Sequence, residues 1–438
     1  MSDLAVAGRA TPVTAGSAPG SGWVAPARVL PAWPAVLVFV GFPVFWVLGL
    51  GAFATALCAV PMAALLWARR DVRLPVGFAL WVLFVLWVGI AALQVDDPLR
   101  LVGYGVRLSN YLGATVLFVY VYNCRTVELP TRRMLLAAAA FFAFVVFGGY
   151  LGVLVPSGRL TTPLSAVLPG AVAANEYVSA LVRPAFAEVQ QPYGSPTTFS
   201  RPAAPFAYTN GWGCNIALLV PLVLASMSGA TRRARVVLTV LLVAALVPAF
   251  ATLNRGMYLA IAAGLGYAAL RLALRGRVVP LAGVLLAGSL AAAVAVGSGV
   301  AAALGQRLQY SDTNDTRMLL YREAFEGTLA SPLLGNGSPR PSAVVDISVG
   351  TQGQVWNVMF SYGFPALLFF IGWFVWAAWA SRRWETVADL WVHVCLVVAL
   401  MTTFYYGYDG PQLTVAMVAA ALALRRTRRP GGASTRST

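Results

Sequence analysis

Long apolar runs separated by short polar segments fill the chain from about residue 33 to residue 425. A helix that crosses a bilayer needs roughly 20 apolar residues, and many of the runs approach that length. The pattern therefore predicts about twelve transmembrane helices. Their expected positions are 33–49, 51–68, 75–95, 102–123, 133–155, 209–228, 236–253, 256–274, 278–303, 356–380, 389–406 and 411–425.

Clusters of arginine follow every second apolar run. They are Arg69, Arg70 and Arg73; Arg125, Arg132 and Arg133; Arg232, Arg233 and Arg235; Arg271, Arg275 and Arg277; Arg382 and Arg383; and Arg425 with its neighbours. If all twelve runs cross the membrane, these clusters fall on one side, and basic residues favour the cytoplasmic side. We expect an all-α, polytopic membrane protein with both termini in the cytoplasm. Residues 1–31 and 426–438 are then cytoplasmic tails, which we expect to be disordered, around a membrane domain at 32–425.

Composition supports a lipid environment and argues against several other classes. Of the 438 residues, 59% are hydrophobic and 11% are charged, whereas soluble domains are nearer 25% charged. The net charge of +16 lies in the short clusters between apolar runs, which is typical of topology and not of nucleic-acid binding. Cys58, Cys124, Cys214 and Cys395 lack the spacing of a metal site or a disulfide framework. We expect neither a metal nor a cofactor.

Two long segments, about 156–208 and 304–355, fall on the opposite, extracytoplasmic side. Loops of this length usually carry function. The second loop predicts a short amphipathic helix at 315–330, with Asp315 or Thr316 as its cap and an Arg322–Glu326 pair one turn apart. Its expected packed face comprises Met318, Tyr321, Phe325 and Leu329.

Several arginines stand apart from the cytoplasmic clusters. They are Arg107, Arg201, Arg255, Arg317, Arg322 and Arg340. An arginine near hydrocarbon needs an anionic partner, and guanidinium groups bind phosphate through paired hydrogen bonds. These arginines could therefore bind a diphosphate. The alternative is that they reach lipid headgroups or pair with loop acids.

Four segments, taken in order, resemble the O-antigen ligase/polymerase superfamily of bacterial membrane glycosyltransferases. RPAAPFAYTNGWGCNIALLVPL (201–222) is similar to that family's Arg…Pro-Phe…Asn entry into a helix, and LNRGMYLAIAAGLGY (253–267) to its Ser-Arg-Gly helix start. NDTRMLLYREAFEGTLASPLLGNGSP (314–339) resembles Gly-Arg-x-x-x-Trp-x-x-Ala followed by Pro-Leu-Leu-Gly-x-Gly. QGQVWNVMFSYGFPALLFF (352–370) resembles a His-Asn…Gly-x-x-Gly segment.

The resemblance implies a location in the bacterial cytoplasmic (inner) membrane. It also implies a glycan donor on a polyprenyl diphosphate, bound at the extracytoplasmic face, and a glycan or lipid-linked acceptor. Arg255 and Arg317 would hold the diphosphate. The further expected substrate-binding residues are Arg201, Arg107, Arg322, Tyr321, Asn210 and Gln352, of which Tyr321 occupies the family's Trp position. The lipid bilayer is the other expected partner, and other polysaccharide-assembly proteins are potential ones.

The sequence departs from the ligase pattern at one important position. The family's His, thought to assist the acceptor's attack, aligns near Gln352 or Gln354, and an amide takes no proton at neutral pH. Asp346 is the nearest candidate base, with Glu176 and Glu188 as others. This substitution favours a polymerase, or a transferase with a carboxylate base or no base, over a ligase with a histidine base.

Other residues fit ordinary structural roles. The single histidine, His393, is expected to be packed or interfacial and to lie on the cytoplasmic side. Trp356, Tyr405, Tyr406 and Tyr408 are expected to form part of an aromatic belt at the membrane surface.

Two further hypotheses stay open at the level of sequence. A transporter or flippase of lipid-linked glycans would favour repeats, broken helices and polar sites at mid-bilayer. A membrane assembly partner without activity would leave Arg255, Arg317 and Tyr321 far apart.

Overall fold

A computed structural model describes residues 29–69, 71–173, 175–190, 198–297, 313–345, 347–408 and 410–427, together with Gly299 and Ala302. Most of the predicted N-terminal tail, most of the predicted C-terminal tail, and Asp346 lie outside these residues. The described chain is mainly helical, with two short antiparallel hairpins.

The helices begin and end as follows: α1 Trp33–Val40, α2 Phe42–Leu48, α3 Ala54–Arg69, α4 Phe78–Ala91, α5 Pro98–Asn123, α6 Thr131–Leu154, α7 Pro163–Val167, α8 Gly170–Ala173, α9 Glu176–Val182, α10 Thr209–Met227, α11 Arg232–Ala244, α12 Leu246–Ala251, α13 Arg255–Ala273, α14 Val279–Gly297, α15 Thr313–Ala330, α16 Gln354–Ala380, α17 Val387–Thr402 and α18 Pro411–Thr427. Single 3₁₀ turns occupy Gly51–Phe53 and Ala92–Gln94. The strands are β1 Ala187–Gln190, β2 Phe199–Pro202, β3 Arg340–Pro341 and β4 Ser348–Val349.

Among the described residues, six helical stretches are long and apolar enough to cross a membrane. They are Gly51–Arg69, Thr131–Leu154, Thr209–Met227, Arg232–Ala251, Arg255–Ala273 and Gln354–Ala380. Shorter apolar helices cover Phe78–Gln94, Val279–Val294 and Val387–Thr402. These helices indicate a membrane protein. All twelve predicted segments fall on helices, three of them interrupted, at Gly41, Ala245 and Gly363; the number of crossings and their direction remain predictions.

Helix α10 lies at the centre of the bundle. It packs against α6, α13, α17 and α18, and most of its side chains are buried. At the periphery, α11 exposes valines such as Val236 and Val240, as expected of a surface that faces lipid. The central position of α10 places its first turn, which begins at Thr209, inside the protein.

Helix α16 is broken at Gly363, whose backbone has φ 81° and ψ 178°. This is a conformation that essentially only glycine adopts. The loop 332–337 fills the break, because Asn336 N–H bonds to Phe360 O (2.9 Å), Gly337 N–H to Ser361 O (2.8 Å) and Phe364 N–H to Pro332 O (2.9 Å). The backbone groups that the break frees are therefore paired, as buried groups must be.

The helix predicted at 315–330 is confirmed as α15, and its Arg322–Glu326 pair is present at 2.7 Å. The cap prediction is wrong, because the helix already begins at Thr313 and Asp315 lies in its first turn. Of the predicted packed face, only Tyr321 is confirmed, since it is half-buried and stacks on Trp356. The helix buries Leu320, Ala324 and Thr328, and leaves Met318, Phe325 and Leu329 exposed.

Helix α18 continues through Thr427, so the predicted tail boundary at residue 426 falls inside a helix. Arg425 is buried and donates to Cys124 O and Leu129 O, while Arg426 pairs with Asp389 at 2.6 Å. Hydrogen bonds to carbonyls of other segments keep this end ordered.

Candidate functional site

The turn that precedes α13 has an unusual backbone. Leu253 takes a left-handed conformation with φ 48°, although it is not glycine, and such strain often marks functional positions. Asn254 then caps the helix by accepting the Met257 N–H at 3.4 Å. Arg255 follows as the first helical residue, and a side chain at Gly256 would meet the Tyr406 hydroxyl at 2.8 Å.

A buried chain of hydrogen bonds links this turn to the start of α10. The Arg201 Nε donates to Thr252 O at 2.8 Å, and the Thr209 hydroxyl donates to Arg201 O at 3.1 Å. The Asn254 Nδ2 donates to Thr209 O at 3.4 Å. The first two family-like segments, 201–222 and 253–267, are thus joined.

Tyr406 connects the same network to the start of α16. Its hydroxyl donates to Asn254 Oδ1, and its carbonyl accepts the Gln354 N–H at 2.7 Å. Tyr406 and Tyr408 are buried inside the protein, so their predicted place in an aromatic belt is wrong.

The third and fourth family-like segments meet through an aromatic pair. The rings of Tyr321 and Trp356 stack with centroids 4.1 Å apart, and the Tyr321 hydroxyl donates to Gln352 O at 3.3 Å. Arg317 lies one turn before Tyr321 on α15. The stacking of Tyr321 on Trp356 therefore also brings Arg317 towards the start of α16.

Arg317 and Arg201 act on each other electrostatically, and both act on Tyr406. Burial lowers the pKa of Arg201; Glu188 and Tyr406 raise it, and the like charge of Arg317 lowers it further. The Arg317 Nε is buried and has no hydrogen-bond partner in the described part of the chain. We call Arg201, Asn254, Arg255, Arg317 and Tyr406 the polar cluster.

Among the described residues, the isolated arginines divide into three groups. Ion pairs occupy Arg201 (Glu188, 3.6 Å), Arg322 (Glu326, 2.7 Å) and Arg340 (Asp96, 2.9 Å). Arg107, inside α5, lies 5.0 Å from the centre of the Tyr177 ring. The side chains of Arg255, which is exposed, and Arg317, which is partly buried, pair with no described acid. The structure therefore places Arg322 outside the polar cluster and leaves Arg255 and Arg317 without a counterion in the described chain.

The candidate positions for the family's histidine differ in their surroundings. Gln354 is buried, and both ends of its amide are used, by the Tyr111 hydroxyl and by the Tyr408 N–H, each at 2.8 Å. Gln352 is half-buried and lies beside Tyr321. Among the candidate bases, Glu188 pairs with Arg201, and the side chain of Glu176 lies outside the described part.

No protein-family model and no curated protein matches this sequence. The candidate site therefore rests on its residues and their geometry alone.

A partly open cavity lies at the start of α10. Its walls come from α2, from α9 of the first long loop, from the segment 205–208 that leads into α10, and from the start of α18; they include Trp46, Tyr177, Phe206, Tyr208 and Gln412. The half-buried Asn210 lies between the lining residues Tyr208 and Gly211.

Two residues of the cluster were not found from the sequence. Asn254 carried a usable signal, since an Asn directly before a helix is a standard N-cap. Tyr406 carried none, because it meets Asn254 from 152 positions away in the chain.

His393 is packed, as expected. Its ring nitrogens lie 2.9 Å from the hydroxyl groups of Tyr267 and Ser381. Both partners belong to the far ends of α13 and α16, away from the polar cluster.

Proposed function

We propose that this protein is a membrane glycosyltransferase that polymerises a glycan carried on a polyprenyl diphosphate, at the extracytoplasmic face of the bacterial cytoplasmic membrane. The proposal includes about twelve membrane crossings, with both termini in the cytoplasm. The polar cluster and the cavity at the start of α10 then lie on the outer side, between the membrane helices and the two long loops.

The observation that carries the proposal is the buried Nε of Arg317, which has no hydrogen-bond partner among the described residues. The like charge of Arg317 also lowers the pKa of the neighbouring Arg201. A buried donor without a partner is costly. A diphosphate would supply two negative charges and several acceptors, and guanidinium groups bind such oxygens in pairs.

The geometry of the four family-like segments also supports the proposal. They are far apart in sequence, yet Arg201, Asn254, Tyr321 and Gln352 connect them through direct contacts and through Tyr406. If the protein were an assembly partner without activity, Arg255, Arg317 and Tyr321 would be expected to lie far apart. Tyr321 instead stacks on the first turns of α16, which bond to Tyr406.

In the proposed reaction, a hydroxyl of the acceptor glycan attacks the anomeric carbon of the donor sugar. The bond between that carbon and the phosphate oxygen breaks, and the polyprenyl diphosphate leaves with the bonding electrons. Arg255 and Arg317 stabilise the charge that moves onto the leaving oxygen, an effect worth about 3–4 kcal/mol for one preorganised donor. The hydroxyl proton passes to a carboxylate, for which Asp346 is the candidate, or to solvent.

A polymerase fits the surroundings of the glutamines better than a ligase with a histidine base. Both ends of the Gln354 amide are hydrogen-bonded, and Gln352 has no group that takes a proton. Products that grow by repeated addition, rather than by a single transfer, would separate the two activities.

Sealed, right-side-out vesicles that contain the purified protein would test the proposal, with donor and acceptor supplied only outside. We expect Arg255→Ala and Arg317→Ala each to slow elongation by about 100-fold or more. The matched control is Arg322→Ala, which removes an exposed, paired arginine of the same loop and should elongate at the normal rate. Full activity in both of the first two variants would rule the proposal out.

A further inference from the structure

Helix α15 presents three different flanks. Successive residues of a helix turn by about 100°, so residues seven or eleven apart lie nearly above one another. One flank packs on the protein through Leu320, Ala324 and Thr328, which are at most 1% exposed. A second flank carries the exposed Arg322–Glu326 ion pair.

The third flank is apolar and uncovered. Met318, Phe325 and Leu329 are 67%, 46% and 56% exposed, and their spacing puts them between the packed flank and the charged flank. A water-soluble helix rarely leaves such a strip open, since contiguous exposed apolar patches usually mark an interaction surface.

This strip continues the apolar exterior of the membrane helices. The Phe325 ring lies 6.2 Å from the ring of Phe364 on α16, a candidate spanning helix. Beyond the end of α15, the exposed Leu333 is held by a 2.9 Å bond from Trp87 Nε1 on α4 to its carbonyl. Exposed side chains near these contacts are also apolar. They are Leu86 and Ile90 on α4, Leu93 in the 3₁₀ turn that follows α4, and Leu368 on α16.

We propose that α15 lies in the interfacial layer of the bilayer, with Met318, Phe325 and Leu329 immersed among the lipid acyl chains. The occupant is lipid, because the strip joins a surface that already faces lipid and is bordered by a charged flank that can stay in water. This arrangement fixes the depth of Arg317, which lies on the protein-facing side of the same helix, at the level of the lipid phosphates. The inference stands whether or not the protein is a glycosyltransferase.

Spin labels on single cysteines in lipid nanodiscs would test this placement. The described native cysteines, Cys58, Cys124, Cys214 and Cys395, are all buried, which favours labelling at an introduced exposed cysteine. Phe325→Cys and Leu329→Cys report on the apolar flank, and Glu326→Cys is the matched control on the charged flank. Each label's collision rate is measured with oxygen, which concentrates in lipid, and with a water-soluble nickel chelate.

We expect the ratio of oxygen to nickel collisions at positions 325 and 329 to exceed that at position 326 several-fold. A ratio at 325 and 329 as low as that at 326 would mean that the strip faces water. Slow collisions with both reagents at 325 and 329 would mean that another protein surface covers it. Either result would overturn the proposal.

Discussion

Asn254 is the residue that joins the most parts of the polar cluster. Its Oδ1 caps α13 and accepts the Tyr406 hydroxyl, while its Nδ2 reaches Thr209 O on α10. The position is also closely packed, because a side chain at Gly213 would meet the Asn254 Nδ2 at 2.4 Å. One amide therefore sets the relative placement of two helices and of the strained turn that carries Arg255.

Replacing Asn254 by alanine should destabilise the fold. The loss of an N-cap costs about 1 kcal/mol, and a buried hydroxyl left without its partner costs about 1–3 kcal/mol. We expect a clearly lower unfolding temperature for Asn254→Ala, measured by thermal denaturation in detergent. The matched control is Asn210→Ala, next to Thr209 at the edge of the same hydrogen-bond network, where the asparagine is only half-buried. The unfolding temperature of this control variant should hardly change. Equal effects of the two changes would contradict the role assigned to Asn254.

The interruption of α16 at Gly363 determines where the second long loop packs against the membrane helices. Gly363 interrupts the helix, and the loop 332–337 pairs with the exposed backbone groups. Arg100 on α5 secures the far side of this loop by donating to Asn336 O (2.7 Å) and Ser338 O (2.6 Å). The segment thus holds the end of α15, and with it Arg317, against the membrane helices.

Gly363→Ala should disrupt this arrangement. The added carbon would meet Leu333 O at 2.3 Å, and the backbone conformation at Gly363 costs a residue with a side chain about 1–3 kcal/mol. We expect a lower unfolding temperature and faster proteolysis within 332–337. Gly372→Ala, in the regular part of the same helix, is the control; its added carbon meets its nearest neighbour, Leu80, at an ordinary 3.4 Å, so stability should be kept or rise slightly. Unchanged proteolysis of Gly363→Ala would show that the break does not hold the loop.

The positions of the helices could be predicted from the sequence, because each apolar run is a local signal that needs no partner. The flank by which α15 packs could not, since helical spacing identifies an apolar stripe without saying whether protein or lipid covers it. The ion-pair partners of the individual arginines could not be predicted from the sequence either. Asp96 pairs with Arg340 across 244 positions, and no local pattern indicates such a contact.

At the scale of the whole molecule, the basic charge has two different roles. Most arginines follow alternate helices, as the positive-inside rule requires. Arg255 and Arg317 do not, and the described chain offers them no carboxylate. The proposed function requires Arg255 and Arg317 to bind phosphate oxygens of a lipid-linked donor.

The most direct test is the binding of a polyprenyl diphosphate to the purified protein, followed by native mass spectrometry. Loss of hydrogen bonds to a charged group costs about 1.5–3 kcal/mol each, so the Arg255→Gln/Arg317→Gln double variant should bind at least about 100-fold more weakly than the unaltered protein. Arg322→Gln, which alters the exposed ion pair, should bind normally. Equal binding by the double variant and the unaltered protein would contradict the account.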